Sequence, residues 1–115
     1  MGSFRDLKVW QRAIELSVAT YKLTRDFPTE ELYGLTSQLR RAAVSIASNI
    51  AEGYGRVSAG EYRQFIGVAR GSTLELQTQL VIAGRLGLGK PALTTEVEGL
   101  SEEVGKMLWA LAKKL

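Results

Sequence analysis

TSQLRRAAVSIASNIAEGYG, residues 36–55, decides the fold. Leu39, Ala42, Ala43, Ile46 and Ile50, with Leu35 just before them, recur at steps of three and four, the spacing of one face of an α-helix. Gly53 and Gly55 supply the stop. A helix is therefore expected over about Thr36–Glu52. Beside its apolar side runs a second stripe of the same period: Gln38, Arg41, Ser45, Asn49 and Glu52. A stripe facing solvent normally holds more Lys and Glu than Ser and Asn. Short polar side chains suit a close, hydrogen-bonded packing surface, inside a bundle or between subunits. A ligand or nucleic-acid site is the other role they admit.

Outward from this stretch, Pro28 and Pro91 cut the chain into three blocks. The first holds a helix over about Asp6–Arg25 with two apolar stripes. One is Leu7, Trp10, Ile14, Val18 and Tyr21, and the other is Val9, Ala13, Leu16, Leu23 and Phe27. A helix that only caps a bundle needs one such stripe, so this one is expected to bury two sides. The third helix opens at a capping box, Ser58 with Glu61, and runs to about Arg85. Tyr62, Phe65, Ile66, Ala69, Thr73, Leu76, Leu80 and Ala83 form its core stripe. Gly67 and Gly71 lie on the opposite side. Interior glycine weakens a helix by about 1 kcal/mol relative to alanine. Two of them four apart leave a flat strip where another backbone can come close. Thr95 and Glu98 offer a capping box for a fourth helix reaching about Lys113, striped by Val97, Leu100, Val104, Met107, Leu108 and Leu111.

Short connections between helices of similar length favour antiparallel neighbours. The expected fold is all-α, an antiparallel up-down four-helix bundle in one domain over residues 1–115. Trp10, Leu39, Ile46, Phe65, Leu76 and Leu108 are expected in its core.

Composition excludes much chemistry. The chain has no histidine and no cysteine. It therefore lacks the usual general base, the commonest metal ligand, thiolate nucleophiles and disulfides. The di-iron site of some four-helix bundles needs Glu-x-x-His pairs, which are absent. No P-loop is present, since the glycines at Gly84–Gly89 are not followed by Lys-Ser or Lys-Thr. No catalytic residue, metal or cofactor is expected. Apolar residues at 45% and charged residues at 23% are ordinary for a globular chain. No uncharged run is long enough to span a membrane, and no apolar signal core opens the chain. A cytoplasmic protein is expected.

Fifteen Lys and Arg against twelve Asp and Glu give a net charge of +3. The excess lies mid-chain, where Arg40, Arg41, Arg56, Arg63, Arg70 and Arg85 oppose Glu52, Glu61 and Glu75. Such arginines are either ordinary soluble surface or a phosphate-facing patch, for which Arg is favoured by its planar fork of donors. Arg56 and Arg63 flank the turn between the second and third helices and lead the candidate nucleic-acid contacts, followed by Arg40 and Arg70. Arg41 belongs to the polar stripe and is assigned a structural role with it.

FRDLKVWQRAIEL (Phe4–Leu16), FPTEELYGLTSQLRRAAVSIASNIAEGYGR (Phe27–Arg56) and EYRQFIGVARGSTLELQTQL (Glu61–Leu80) resemble the small four-helix-bundle proteins encoded in intervening sequences of bacterial large-subunit ribosomal RNA genes. The resemblance covers about residues 4–88. One departure is Ala47, where the family usually has proline; a straighter second helix follows. The resemblance implies a bundle that assembles into a ring-like homopentamer. Relatives that accompany diversity-generating reverse transcriptases share that barrel and bind nucleic acid and the polymerase. Two functions are thus carried forward. One is a non-catalytic oligomer that binds nucleic acid, structured RNA first, through a basic surface. The alternative is an adaptor ring whose partner is a protein such as a reverse transcriptase. Arg40, Arg41, Asn49 and Glu52 carry over as motif positions.

Overall fold

In the computed structural model, residues 2–115 are described, and every regular element among them is helical. Four long helices dominate: α1 (Lys8–Thr24), α2 (Ser37–Tyr54), α3 (Ala59–Arg85) and α4 (Pro91–Lys113). Each packs on its two neighbours in the cycle α1, α2, α3, α4, while the diagonal pairs barely touch. Short connections make every neighbouring pair antiparallel. The result is an up-down four-helix bundle measuring 43 × 23 × 21 Å.

The helix ends follow from local chemistry. Ahead of α1, Ser3 and Asp6 cap a 3₁₀ turn, Phe4–Asp6: Asp6 Oδ2 accepts from Ser3 N–H at 3.0 Å and Ser3 Oγ accepts from Arg5 N–H at 3.0 Å. Leu7 is then extended, so α1 starts two residues later than the expected Asp6. Between α1 and α2, Phe27 is buried and the chain passes through a 3₁₀ turn, Thr29–Glu31, and a wide turn, Leu32–Thr36. The Glu31 carboxylate accepts from Leu35 N–H at 3.2 Å, and Gly34 is non-helical at φ −111°, ψ −117°. Ser58 caps α3 as its position foretells, its Oγ accepting from Glu61 N–H at 3.2 Å.

The start of α4 corrects the expected cap at Thr95. The helix begins at Pro91, whose fixed φ suits the first helical position. Thr95 lies inside, its hydroxyl donating to Pro91 O at 3.0 Å. The reversal before Pro91 depends on Gly89 at φ +84°. A Cβ there would also lie 2.6 Å from Leu23 Cδ1. At the other end, Gly53 lets α2 and α3 approach, since its Cβ would lie 2.8 Å from Phe65 Cβ.

Leu16, Leu23, Leu39, Ile46, Ile50, Ile66, Leu76, Val97, Val104 and Leu108 fill the core. Leu39, Ile46, Leu76 and Leu108 are as buried as the periodicity requires. Trp10 and Phe65 are not core residues but half-buried. Trp10 sits near the end of the bundle, edge-to-face with Phe4 at 5.2 Å, and Phe65 lies beneath an arginine. Ala47 is buried and α2 runs unbroken past it. Of the two stripes on α1, the one through Ala13 and Leu16 enters the core, whereas Ile14, Val18 and Tyr21 face outward.

Candidate nucleic-acid interface

The polar stripe of α2 faces α3. Asn49 Nδ2 donates to Ser45 O at 2.8 Å and to Ser45 Oγ at 3.0 Å, and Ser45 Oγ meets Ser72 Oγ at 3.0 Å. Further along, Gln79 Nε2 is shared between Gln38 Oε1 and Glu75 Oε2, each at 3.3 Å. Arg41 approaches the same Glu75 at 4.0 Å. Gln38, Arg41 and Ser45 thus reach across to α3, while Asn49 supports Ser45 from within α2. Glu52 is exposed, and no hydrogen bond of its side chain joins this ladder.

Three of the four candidate arginines rest on aromatic rings. Arg40 lies over the Tyr21 ring at 4.5 Å, Arg56 over Phe65 at 4.6 Å and Arg70 over Trp109 at 4.5 Å. Among the described residues, none of Arg40, Arg56, Arg63 and Arg70 lies within 4.0 Å of a carboxylate oxygen. Arg40 additionally donates from Nε to Thr24 Oγ1 at 2.8 Å. A guanidinium resting on a ring keeps its edge donors free while losing rotamer freedom it would otherwise lose on binding. Arg63 is exposed and has no such ring.

These side chains do not form one patch. Arg40 sits on the α1–α2 seam and Arg70 on the α3–α4 seam, which are opposite sides of the bundle. Arg56 and Arg63 lie at the end where α2 turns into α3. The start of α1 and the end of α4 reach the same end, bringing Arg5, Lys8, Lys113 and Lys114 to it. Asp6, Glu52 and Glu61 are the acids there. Two of these are engaged locally, Asp6 by Ser3 N–H and Glu61 by the Ser58 hydroxyl at 3.2 Å. The opposite end is balanced: Arg25, Arg85 and Lys90 meet Asp26, Glu30, Glu31 and Glu96, and Lys90 pairs with Asp26 at 3.4 Å. The bundle therefore has one basic pole.

A family model for the 23S rRNA-intervening sequence protein matches residues 5–110. The chain belongs to this family. Its backbone is also similar to a crystal structure described as a protein with unknown function from the S23 ribosomal protein family of Bacteroides thetaiotaomicron VPI-5482. The TM-score is 0.81 at 20% identity, covering 91% of this chain and 98% of that one; at that identity the likeness speaks for the fold. A comparison with curated proteins gave no match.

In this 23S rRNA-intervening sequence protein the basic pole carries an aromatic cluster as well. Tyr54 and Tyr62 pack edge-to-face at 6.2 Å beside Phe65. Burial, with Tyr54 next to it, pushes the Tyr62 phenol above its ordinary value, so it is neutral and a donor at physiological pH. Among the described residues no three carboxylates gather as a metal site, and no helix is long and apolar enough to cross a membrane. The ring partners of the arginines escaped the sequence reading. Tyr21 and Trp109 belong to other helices than Arg40 and Arg70, and only the Arg56–Phe65 spacing of nine residues is local enough to be noticed. The candidate glycines Gly67 and Gly71 are exposed on α3, with nothing within 4 Å of a Cβ built on either.

Proposed function

We propose that this protein is a non-catalytic, cytoplasmic homo-oligomer that binds nucleic acid, structured RNA first, through the basic pole of its bundle. The observation that carries the reading is Arg56 stacked on Phe65, unpaired with any carboxylate among the described residues, beside Arg63 at the end where basic side chains converge. Oxygen atoms of phosphate fit the free edge of such a guanidinium bidentately. Phosphate contacts position a protein without reading sequence, so affinity is expected to depend little on base sequence.

Assembly multiplies this surface. Cyclic symmetry gives every copy the same orientation relative to the ring axis, so side-by-side bundles would gather their basic poles on one face. The number five comes from the family resemblance. Multivalency then converts a weak contact per copy into strong overall binding.

The test is a titration of fluorescent structured RNA at several salt concentrations, alongside light scattering of the free protein. Affinity should fall with salt by roughly one log unit of slope per phosphate neutralised, and the mass should exceed the 12.6 kDa of one chain. An oligomer that ignores RNA but retains a reverse transcriptase would put the adaptor function in its place.

A further inference from the structure

The rings at the basic pole form a connected run. Trp10 packs edge-to-face on Phe4 at 5.2 Å. The turn that carries Phe4 lies against α2, and a Cβ on Gly2 would meet the Tyr54 hydroxyl at 3.3 Å. Tyr54 packs edge-to-face on Tyr62 at 6.2 Å. Tyr62 and Phe65 meet at Gly53, whose Cβ would lie 3.0 Å from Tyr62 Cδ1 and 2.8 Å from Phe65 Cβ. Two arginines rest toward the ends of this run, Arg5 over Phe4 and Arg56 over Phe65, each 4.6 Å from the ring centre. Both are exposed, and among the described residues neither lies within 4.0 Å of a carboxylate oxygen. At the tip of the α2–α3 turn, Val57 is 100% exposed. An apolar side chain wholly in water adds nothing to the core.

Charge explains phosphate binding but not these rings. A guanidinium has two faces and an edge. Where a ring covers one face, the edge donors and the outer face stay open. An open guanidinium face is a surface on which a nucleobase stacks, as an aromatic ring is. Duplex RNA cannot use it, because its bases are stacked on one another and its deep, narrow major groove excludes side chains. Unpaired nucleotides present a base face and a phosphate together. Electrostatics alone favours the opposite choice, since a duplex carries its phosphates more densely than a single strand and releases more counterions for each one neutralised.

We infer that the pole engages an unpaired stretch of RNA rather than its stems. One base stacks on the outer face of Arg56, with phosphate oxygens on the guanidinium edges of Arg56 and Arg63. Val57 packs against a neighbouring base, and Arg5 over Phe4 offers a second stacking position. A base in each place continues the order already present, ring then guanidinium. This inference rests on the nucleic-acid reading above and names the part of the RNA that the same pole recognises.

The test compares two fluorescent RNA hairpins of equal length, and so of equal phosphate number, at one low salt concentration. One has a wide unpaired loop and the other is nearly all stem. Wild type should bind the wide-loop hairpin at least about 5-fold more tightly, the lower end of what one stacked base contributes. Arg56→Lys keeps the charge and removes the plane. With its fold confirmed by circular dichroism, this variant should narrow the preference to about 2-fold or less. Equal affinity of wild type for the two hairpins, or tighter binding of the stem, overturns the inference and leaves phosphate binding by the pole intact. A loop preference that Arg56→Lys does not diminish also overturns it, because the stacking then lies elsewhere. Binding to neither hairpin removes the nucleic-acid reading itself, and this inference with it.

Discussion

Arg56 holds its guanidinium 4.6 Å from the centre of the Phe65 ring, across the turn that joins α2 to α3. The two residues are brought together by Gly53, which lets α3 approach α2 so closely that a Cβ there would meet Phe65 Cβ at 2.8 Å. A helix stop read from glycine thus also serves to seat an arginine.

Removing the ring while keeping the charge isolates this stacking. Phe65→Leu should weaken RNA binding about 2–5-fold, the equivalent of ~0.5–1 kcal/mol for an exposed cation–π contact. Fluorescence titration reads the change. Unaltered affinity would show that Phe65 contributes nothing to positioning Arg56.

Core packing makes a separate prediction. Leu76 has no exposed surface, so Leu76→Ala should cost about 2–5 kcal/mol. Urea unfolding of the variant and wild type, compared at equal chain concentration, measures it. A loss under ~1 kcal/mol would mean the α3 stripe is not the packed face it is here.

The strip glycine behaves in the opposite sense. Gly71→Ala should stabilise the bundle by about 0.5–1 kcal/mol, because alanine is the better helix former and its Cβ meets nothing within 4 Å. Thermal unfolding checks the sign. A destabilised variant would place an internal constraint at Gly71.

Much of the fold was legible in the period of apolar residues. The apolar side of α2 and the core stripe of α3 need only sequence spacing, and Leu39, Ile46 and Leu76 are buried where spacing puts them. The second apolar stripe on α1 was legible as a stripe, but the expected burial of two sides is not seen in the single bundle, where Ile14, Val18 and Tyr21 face outward. The start of α4 was not: Thr95 with Glu98 fits a cap locally, and only the reversal at Gly89 against Leu23 fixes Pro91 as the start. Trp10 and Phe65 match the period of their helices, yet each lies near the end of the bundle, where neighbours no longer cover it. The polar stripe was read as packing or site, and its α3 partners Ser72, Glu75 and Gln79 decide for packing. Arginine stacking over Tyr21 and Trp109 depends on which helices adjoin, which composition does not carry.

Alkaline titration probes the aromatic cluster at the pole. The Tyr62 phenol is raised above its ordinary value near 10, first by burial and then by Tyr54. The folded state therefore keeps this proton to higher pH than the unfolded chain. Its contribution to stability is complete below the unfolded value and is lost as pH rises through the folded one. Between about pH 9 and pH 11, wild type should lose more stability than Tyr62→Phe, which has no phenol to ionise. Parallel losses in the two proteins would show that Tyr62 is not the group concerned.

Charge reversal at the basic pole tests nucleic-acid binding most directly. Wild type and Arg56→Glu/Arg63→Glu are titrated into fluorescent structured RNA in low salt, with the oligomer mass of each confirmed. Wild type is predicted to bind below about 10 μM, and the double variant at least ~10-fold more weakly with a shallower dependence on salt. Equal binding by the two proteins, or no binding by wild type in that range, would contradict the assignment of this pole to nucleic acid.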